Sequence, residues 1–198
     1  RQFLRHARDI FTAAPVRHLH LLDAGESLPD VLQEPHLSRL EALTVHAQHI
    51  GEPLARAVAG SECVAGLRRL ALTRNRLGDD AAELLALAPH LANLEELDLG
   101  ENEVGETGAR ALAASPHLAK LRRLELRGNR VGPAGAEVLA GSERLAALQY
   151  LGLGGNGVGA PRLLTLGGAH NLLGMPALDL SDNGLTAAGL QAILHRPA

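Results

Sequence analysis

The sequence predicts an α/β solenoid, with a curved parallel sheet inside, helices outside and about seven repeats stacked in one direction. Three observations carry that prediction. First, one line of residues returns at a fixed interval. Leu67-Arg-Arg-Leu70-Ala-Leu72-Thr-Arg-Asn75-Arg-Leu77-Gly78 recurs as Leu94-Glu-Glu-Leu97-Asp-Leu99-Gly-Glu-Asn102-Glu-Val104-Gly105, then from Leu121 to Gly132 and from Leu148 to Gly159, and more loosely from Met175 to Thr186. The starts at 67, 94, 121, 148 and 175 are steps of 27 residues without drift, and a fixed period in this range marks stacked supersecondary units. Second, Leu97 and Leu99 lie two apart and share one face of a strand, while Glu96, Asp98 and Gly100 share the other. Third, Ala109, Leu112 and Ala113 form a short apolar stripe at helical spacing.

Each unit buries little alone, so the core arises from stacking. Asn102 closes its strand, and a short amide there can satisfy backbone groups where the chain turns. Asn75, Asn102, Asn129, Asn156 and Asn183 occupy equivalent positions and are expected to form a structural ladder, each repeat offering the same amide one layer along. Gly108, Ala109, Gly135 and Ala136 are expected to let helix and sheet backbones approach closely.

The line L-x-x-L-x-L-x-x-N-x-[LV]-G resembles a leucine-rich repeat, and the following half, as in Gly105-Glu-Thr-Gly108-Ala109-Arg-Ala-Leu112-Ala113-Ala-Ser-Pro116-His-Leu118, resembles the ribonuclease-inhibitor subtype. The resemblance covers about residues 16 to 195. It implies a module that recognises other proteins on its concave side.

Taken in order, residues 1–15 read as a capping helix: Phe3, Leu4, Ala7, Ile10, Phe11 and Ala14 keep helical spacing and Pro15 ends it. The solenoid then runs over 16–198, with repeat starts near 16, 40, 67, 94, 121, 148 and 175. The opening from Phe3 to Leu19 resembles the lead-in of large bacterial repeat proteins whose repeats follow a short companion domain. The first two units are degenerate: Ala24 and Gln48 stand where asparagine is expected. Pro29 and Pro35 predict an irregular link rather than a full helix between them. In the sixth unit Pro161, Gly167 and Gly168 predict a partly uncoiled outer side, and in the seventh a helix is expected to carry Leu190 and Ile193. The strand around Leu178 and Leu180 would be an open edge, so this end is expected to be covered by further sequence or by a partner. The first residue, Arg1, suggests a fragment of a longer chain.

Composition narrows the function. The formal net charge of −3 argues against non-specific binding to nucleic acid or to an anionic membrane. Aromatics make up only 2%, which leaves a core of Leu, Val and Ala. Lys120 is the single lysine among 19 basic residues, a bias that reads as GC-rich coding in a bacterial source. Cys63 is the only cysteine, so no disulfide framework exists within the chain. A cytoplasmic home is the simplest, and Cys63 itself reads as a small buried hydrophobe.

Candidate sites lie mainly on the concave sheet. Outward positions should align in rows, one of Arg68, Glu95, Arg122 and Gln149 and another of Arg69, Glu96, Arg123 and Tyr150. Successive strands alternate in charge, and two readings stay open. The stripes neutralise one another within the chain, or they form a docking surface that selects a partner. The residues assigned to partner binding are Arg69, Glu96, Asp98, Arg123, Glu125, Arg127, Tyr150 and Asp179. Tyr150, the only tyrosine, reads either as a binding anchor in space cleared by Gly152, Gly154, Gly155 and Gly157, or as a ring lying over Arg123.

Other motifs carry less. Gly152-Leu-Gly154-Gly-Asn-Gly157 spells a dinucleotide-loop pattern, but Leu153 and Asn156 are repeat positions and no β-α-β context surrounds them. His18, His20, His46 and His49 read as surface histidines rather than metal ligands, and His90 and His117 as structural repeat residues. No nucleophile with a base, carboxylate pair in a pocket or phosphate loop stands out, so no catalytic residue, metal or cofactor is assigned. The sequence is read as a non-catalytic protein–protein interaction module. Two alternatives are a structural or regulatory segment of a larger multidomain bacterial protein and, on its resemblance to repeat proteins of this subtype, a GTPase activator.

Overall fold

The computed structural model describes residues 14, 16–22, 28–159 and 175–185. The expected capping helix, Ala24, the outer side of the sixth repeat and the final helix with Leu190 and Ile193 fall outside those residues. Seven strands lie side by side in chain order, every neighbouring pair parallel: β1 (His18–Leu21), β2 (Ala42–Val45), β3 (Arg69–Ala71), β4 (Glu96–Asp98), β5 (Arg123–Glu125), β6 (Tyr150–Gly152) and β7 (Ala177–Asp179). The described helices between them are α1 (Leu28–Leu32), α2 (Glu52–Ala59), α3 (Asp79–Ala86), α4 (Glu106–Ala113) and α5 (Gly132–Ala140), each packed on the next. The proline-bearing link holds only the short α1 followed by a 3-10 turn over Pro35–Arg39.

Strands begin two residues after each repeat start, for a local reason. The first leucine of each unit spends its N–H closing the preceding turn: Leu67 N–H donates to Val64 O at 3.0 Å and Leu94 N–H to Leu91 O at 3.0 Å. Pairing starts only afterwards, where Arg68 and Arg69 both donate to Glu41 O, at 2.9 and 3.0 Å. Leu43, Leu70, Leu97, Leu124 and Leu151 then stand in register across five strands, all buried. Leu72, Leu99, Leu126 and Leu153, two residues on, are also buried and extend the same core toward the turn.

The regular spacing of the asparagines acquires a mechanism at the strand ends. Asn102 donates its amide to Leu72 O of the preceding repeat at 2.9 Å and to Leu99 O of its own at 2.9 Å, and its Oδ1 accepts Asn75 N–H at 2.8 Å and Leu77 N–H at 3.1 Å. Asn129 bridges Leu99 O and Val104 N–H, Asn156 bridges Leu126 O and Val131 N–H, and Asn183 bridges Leu153 O and Val158 N–H. The rungs therefore run from each side chain to backbone groups, and the same amide is repeated one layer along. The residue before each asparagine, namely Ala47 (ahead of Gln48), Arg74, Glu101, Gly128, Gly155 and Asp182, has φ between 53° and 67°. Only this left-handed step turns the chain tightly enough to bring the amide under the strand. For a non-glycine residue it costs about 1–2 kcal/mol.

A second row of rungs had been missed. Ser61 Oγ donates to Leu32 O, Ser115 Oγ to Ala86 O and Ser142 Oγ to Ala113 O, so each buried hydroxyl ties the entry to its strand onto the last residue of the preceding repeat's helix. The signal was available, since positions 61, 115 and 142 share the 27-residue frame with Ala88 in the remaining slot. Two expectations need correction. A Cβ at Gly108 would meet Ala82 of α3 at 3.0 Å, and one at Gly135 would meet Ala109 of α4 at 3.1 Å. Gly108 and Gly135 therefore bring helix to helix rather than helix to sheet. Cys63 is half-buried rather than buried, its thiol 3.6 Å from Gln33 O.

Two variants test these ladders. Asn102→Ala strands several buried backbone groups and should lower unfolding free energy by about 3 kcal/mol or more in urea denaturation. Ala88→Ser restores the missing hydroxyl rung, within reach of the α2 terminus, and should raise it by about 0.5–1.5 kcal/mol.

Candidate functional site

The outward side chains of the strands form two rows. Register aligns His18, Ala42, Arg69, Glu96, Arg123, Tyr150 and Ala177 in one, and His20, Thr44, Ala71, Asp98, Glu125, Gly152 and Asp179 in the other. Charges on adjacent repeats pair across the stack. Arg68 meets Glu95 at 2.7 Å, Arg74 meets Glu101 at 2.6 Å, Arg130 meets Glu103 at 3.2 Å, and Arg17 bonds Glu41. These pairs are largely exposed and contribute little stability each. The Arg74 guanidinium holds the Glu101 carboxyl below its usual range, and the carboxylate in turn raises the arginine.

At the centre, the Arg123 guanidinium lies 3.6 Å over the Tyr150 ring and donates to Glu125 Oε2 at 3.2 Å. The Tyr150 hydroxyl donates to the same oxygen at 3.0 Å, and Arg127 N–H donates to Glu125 Oε1 at 3.1 Å. Glu125 is consequently drawn down until its side chain is only 15% exposed. It occupies the space above Gly152, where an added Cβ would sit 2.0 Å from its carboxylate. Arg127 covers Gly154 in the same way and reaches past the sixth repeat to Ser181 Oγ at 3.0 Å and Asp182 Oδ2 at 2.5 Å, with Asp179 at 3.9 Å. The space cleared by Gly152 and Gly154 is therefore filled by the chain's own Glu125 and Arg127, and Tyr150 is half-buried beneath Arg123. Burial first, and then the Glu125 carboxylate, raise the Tyr150 phenol. Hydrogen bonds from Ser181 hold the Asp179 carboxyl low.

The other end of the face behaves differently. Arg69 leans away from Glu96 and back over Ala42 to His18, Nη2 to Nε2 at 2.9 Å. A hollow of about 350 Å³ lies here, lined by His18, His20, Arg69, Glu96, Asp98 and Arg123, among others. The Asp98 carboxyl is raised above its ordinary range by burial. The Gly100 N–H, 2.8 Å from Oδ1, works against that shift, Glu125 adds to it, and Arg123 and His46 oppose it. The sequence reading did not find this hollow. Its signal was the run of small residues Ala42, Thr44 and Ala71 on neighbouring strands.

His18 and His20 share the hollow, and the other two histidines lie apart from them. His18 holds Arg69, His46 Nδ1 is 2.5 Å from Thr73 Oγ1, and His49 lies at the turn end beside Arg74 and Arg76. Among the described residues no three metal-capable side chains group together, and no helix is long and apolar enough to cross a membrane. In the glycine-rich run, Gly155 and Gly157 take left-handed φ and Asn156 is spent on backbone groups, which makes the run a repeat turn.

Comparison with known families matches residues 67–86, 90–113, 117–140 and 177–194 to the leucine-rich repeat family. The chain is a leucine-rich repeat solenoid. The crystal structure of an internalin from Listeria monocytogenes aligns with 80% of this chain at 20% identity and a TM-score of 0.47, and the chain spans about half (53%) of that internalin. No curated protein sequence matches the chain.

The carboxyl of Asp98 gives a pH test of this surface. The folded state holds that proton above the ordinary value of 3.8, so the contribution of Asp98 to stability is fully present below 3.8 and is lost as pH rises through the raised value. Asp98→Asn keeps the acceptor for Gly100 N–H and removes the charge. It should be more stable than the natural chain near neutral pH, and the difference should vanish in thermal melts taken well below that value.

Proposed function

We propose that this leucine-rich repeat solenoid is a non-catalytic protein-interaction module that holds its partner on the concave sheet face, with Arg69, Glu96, Asp98, Arg123, Glu125, Arg127, Tyr150 and Asp179 as the contact residues. The observation that carries the reading is the interlocked Arg123, Tyr150 and Glu125 group. Its side chains are fixed by a ring contact and two hydrogen bonds, so a partner would not have to order them on docking. An immobilised tyrosine and arginine near the middle of an open face are the residue types that dominate interface energetics. The asparagine ladder supplies the rigid platform beneath them. The arginine bias and the single cysteine favour a bacterial, cytoplasmic setting.

The many internal ion pairs favour a second reading, a structural or regulatory segment of a larger protein, and one experiment separates the two. The natural chain and a Tyr150→Ala, Arg123→Glu, Glu96→Arg variant, matched for folding by circular dichroism, are used to capture proteins from source-cell lysate. The proposal expects a protein held by the natural chain and lost by the variant, with Tyr150→Ala alone weakening binding by about tenfold or more. Equal capture moves the site off the concave face, and capture by neither favours the structural segment.

A further inference from the structure

We infer that His18 and Arg69 form a pH-sensitive switch that decides whether Glu96 on the concave face is free or paired. Register lines up His18, Ala42, Arg69, Glu96 and Arg123 on five neighbouring strands. Arg69 therefore has a carboxylate on one side and, past the small Ala42, an imidazole on the other. It takes the imidazole, with Nη2 lying 2.9 Å from His18 Nε2. A guanidinium has donors and no acceptor. The ring nitrogen facing it must accept, which fixes His18 as the uncharged ring with its proton on Nδ1. Once Nε2 is protonated, donor faces donor and cation faces cation, and the contact is lost. Imidazole is the side chain whose charge changes between about pH 8 and 5, before carboxylates lose theirs.

The other place for Arg69 is already built. Glu96 is its register neighbour on β4, and the two border one small hollow. Among the described residues Glu96 has no ion pair or hydrogen bond. One residue earlier in the same two repeats, Arg68 spans the same gap to Glu95 at 2.7 Å, and beyond the strand ends Arg74 spans it to Glu101 at 2.6 Å. Glu96 is one strand spacing away, about 4.8 Å, where His18 is two. The other charged groups described around the ring have partners of their own. Arg17 is bonded to Glu41, Arg68 to Glu95, and Arg123 to Tyr150 and Glu125. Asp98 accepts Gly100 N–H, and His46 meets Thr73. His20, two residues along β1, is the remaining titratable group that shares the hollow with His18.

Acid thus moves one guanidinium from the β1 side of its strand to the β4 side. The neutral form shows a free Glu96 carboxylate, and the acid form shows a His18 cation and an Arg69–Glu96 pair. Under the concave-face reading, acid would withdraw two contact residues from the partner at once. The switch itself is a property of the chain alone and does not need that reading.

The test is NMR of the natural chain between pH 8 and 5.5. Cross-peaks from the Arg69 Cδ protons to the His18 ring are expected at pH 8, replaced at pH 5.5 by cross-peaks to the Glu96 Cγ protons. The Arg69 Nε–H and Glu96 Cδ signals should follow the titration of the His18 ring C–H with one midpoint. His18→Gln keeps an acceptor for Arg69 but has no proton to gain, so it should abolish both shifts, whereas His20→Gln should leave them. The switch is overturned if Arg69 and Glu96 stay fixed while the His18 ring titrates, if their shifts persist in His18→Gln, or if His20→Gln removes them. Should His18→Gln not fold, the cross-peaks of the natural chain decide. Equal partner capture by the natural chain and the triple variant would remove the concave-face reading and leave the switch standing.

Discussion

Where each strand ends, the chain must reverse within a few residues while a polar amide goes into the core. Everything else in the molecule depends on how that amide is satisfied. Buried asparagine is tolerable only when fully bonded, and here each one joins the carbonyls of two repeats and accepts backbone N–H groups left by the turn. Because the partner atoms belong to the preceding repeat, no repeat can satisfy its own asparagine alone. Neighbours are thereby locked into one register, and the leucine columns follow from that lock. The serine hydroxyls do the same work at the other end of the unit, tying helix ends to strand entries.

With the backbone fixed so tightly, the open face becomes a grid on which side chains can only lean one way or the other along the stack. The direction depends on the size of the neighbour. Where the neighbouring strand presents a small residue, a long side chain crosses it. Arg69 passes over Ala42 to His18, Glu125 lies over Gly152, and Arg127 passes Gly154 to reach the seventh repeat. Each such reach ties strands together but takes a cation away from a carboxylate it could have met. Glu96 and Asp98 are what remains of that sorting: among the described residues neither has an ion pair, although Arg69 and Arg123 line the same hollow.

Much of this was legible in the residues. The period, the leucine alternation and the asparagine positions dictate a parallel stack with helices behind it, because a 27-residue unit with one short strand and one short helix can bury its apolar faces only against copies of itself. Alternating charge on successive strands also implied internal pairing, and the pairs at Arg68, Arg74 and Arg130 have that form. The serine row was visible but overlooked, since it is broken by Ala88 and lacks the density of the leucine pattern.

The sequence by itself determined the repeat, its register and which residues face outward, since these follow from local periodicity copied along the chain. Only the tertiary structure decided whether Tyr150 stands free or lies under Arg123, whether the glycines of the sixth repeat leave space or are filled, and which of two flanking partners each arginine chooses. Those outcomes depend on competition among side chains one or two repeats away, 27 or 54 residues apart. The same string of letters allows either choice, and only the distances between rows settle it.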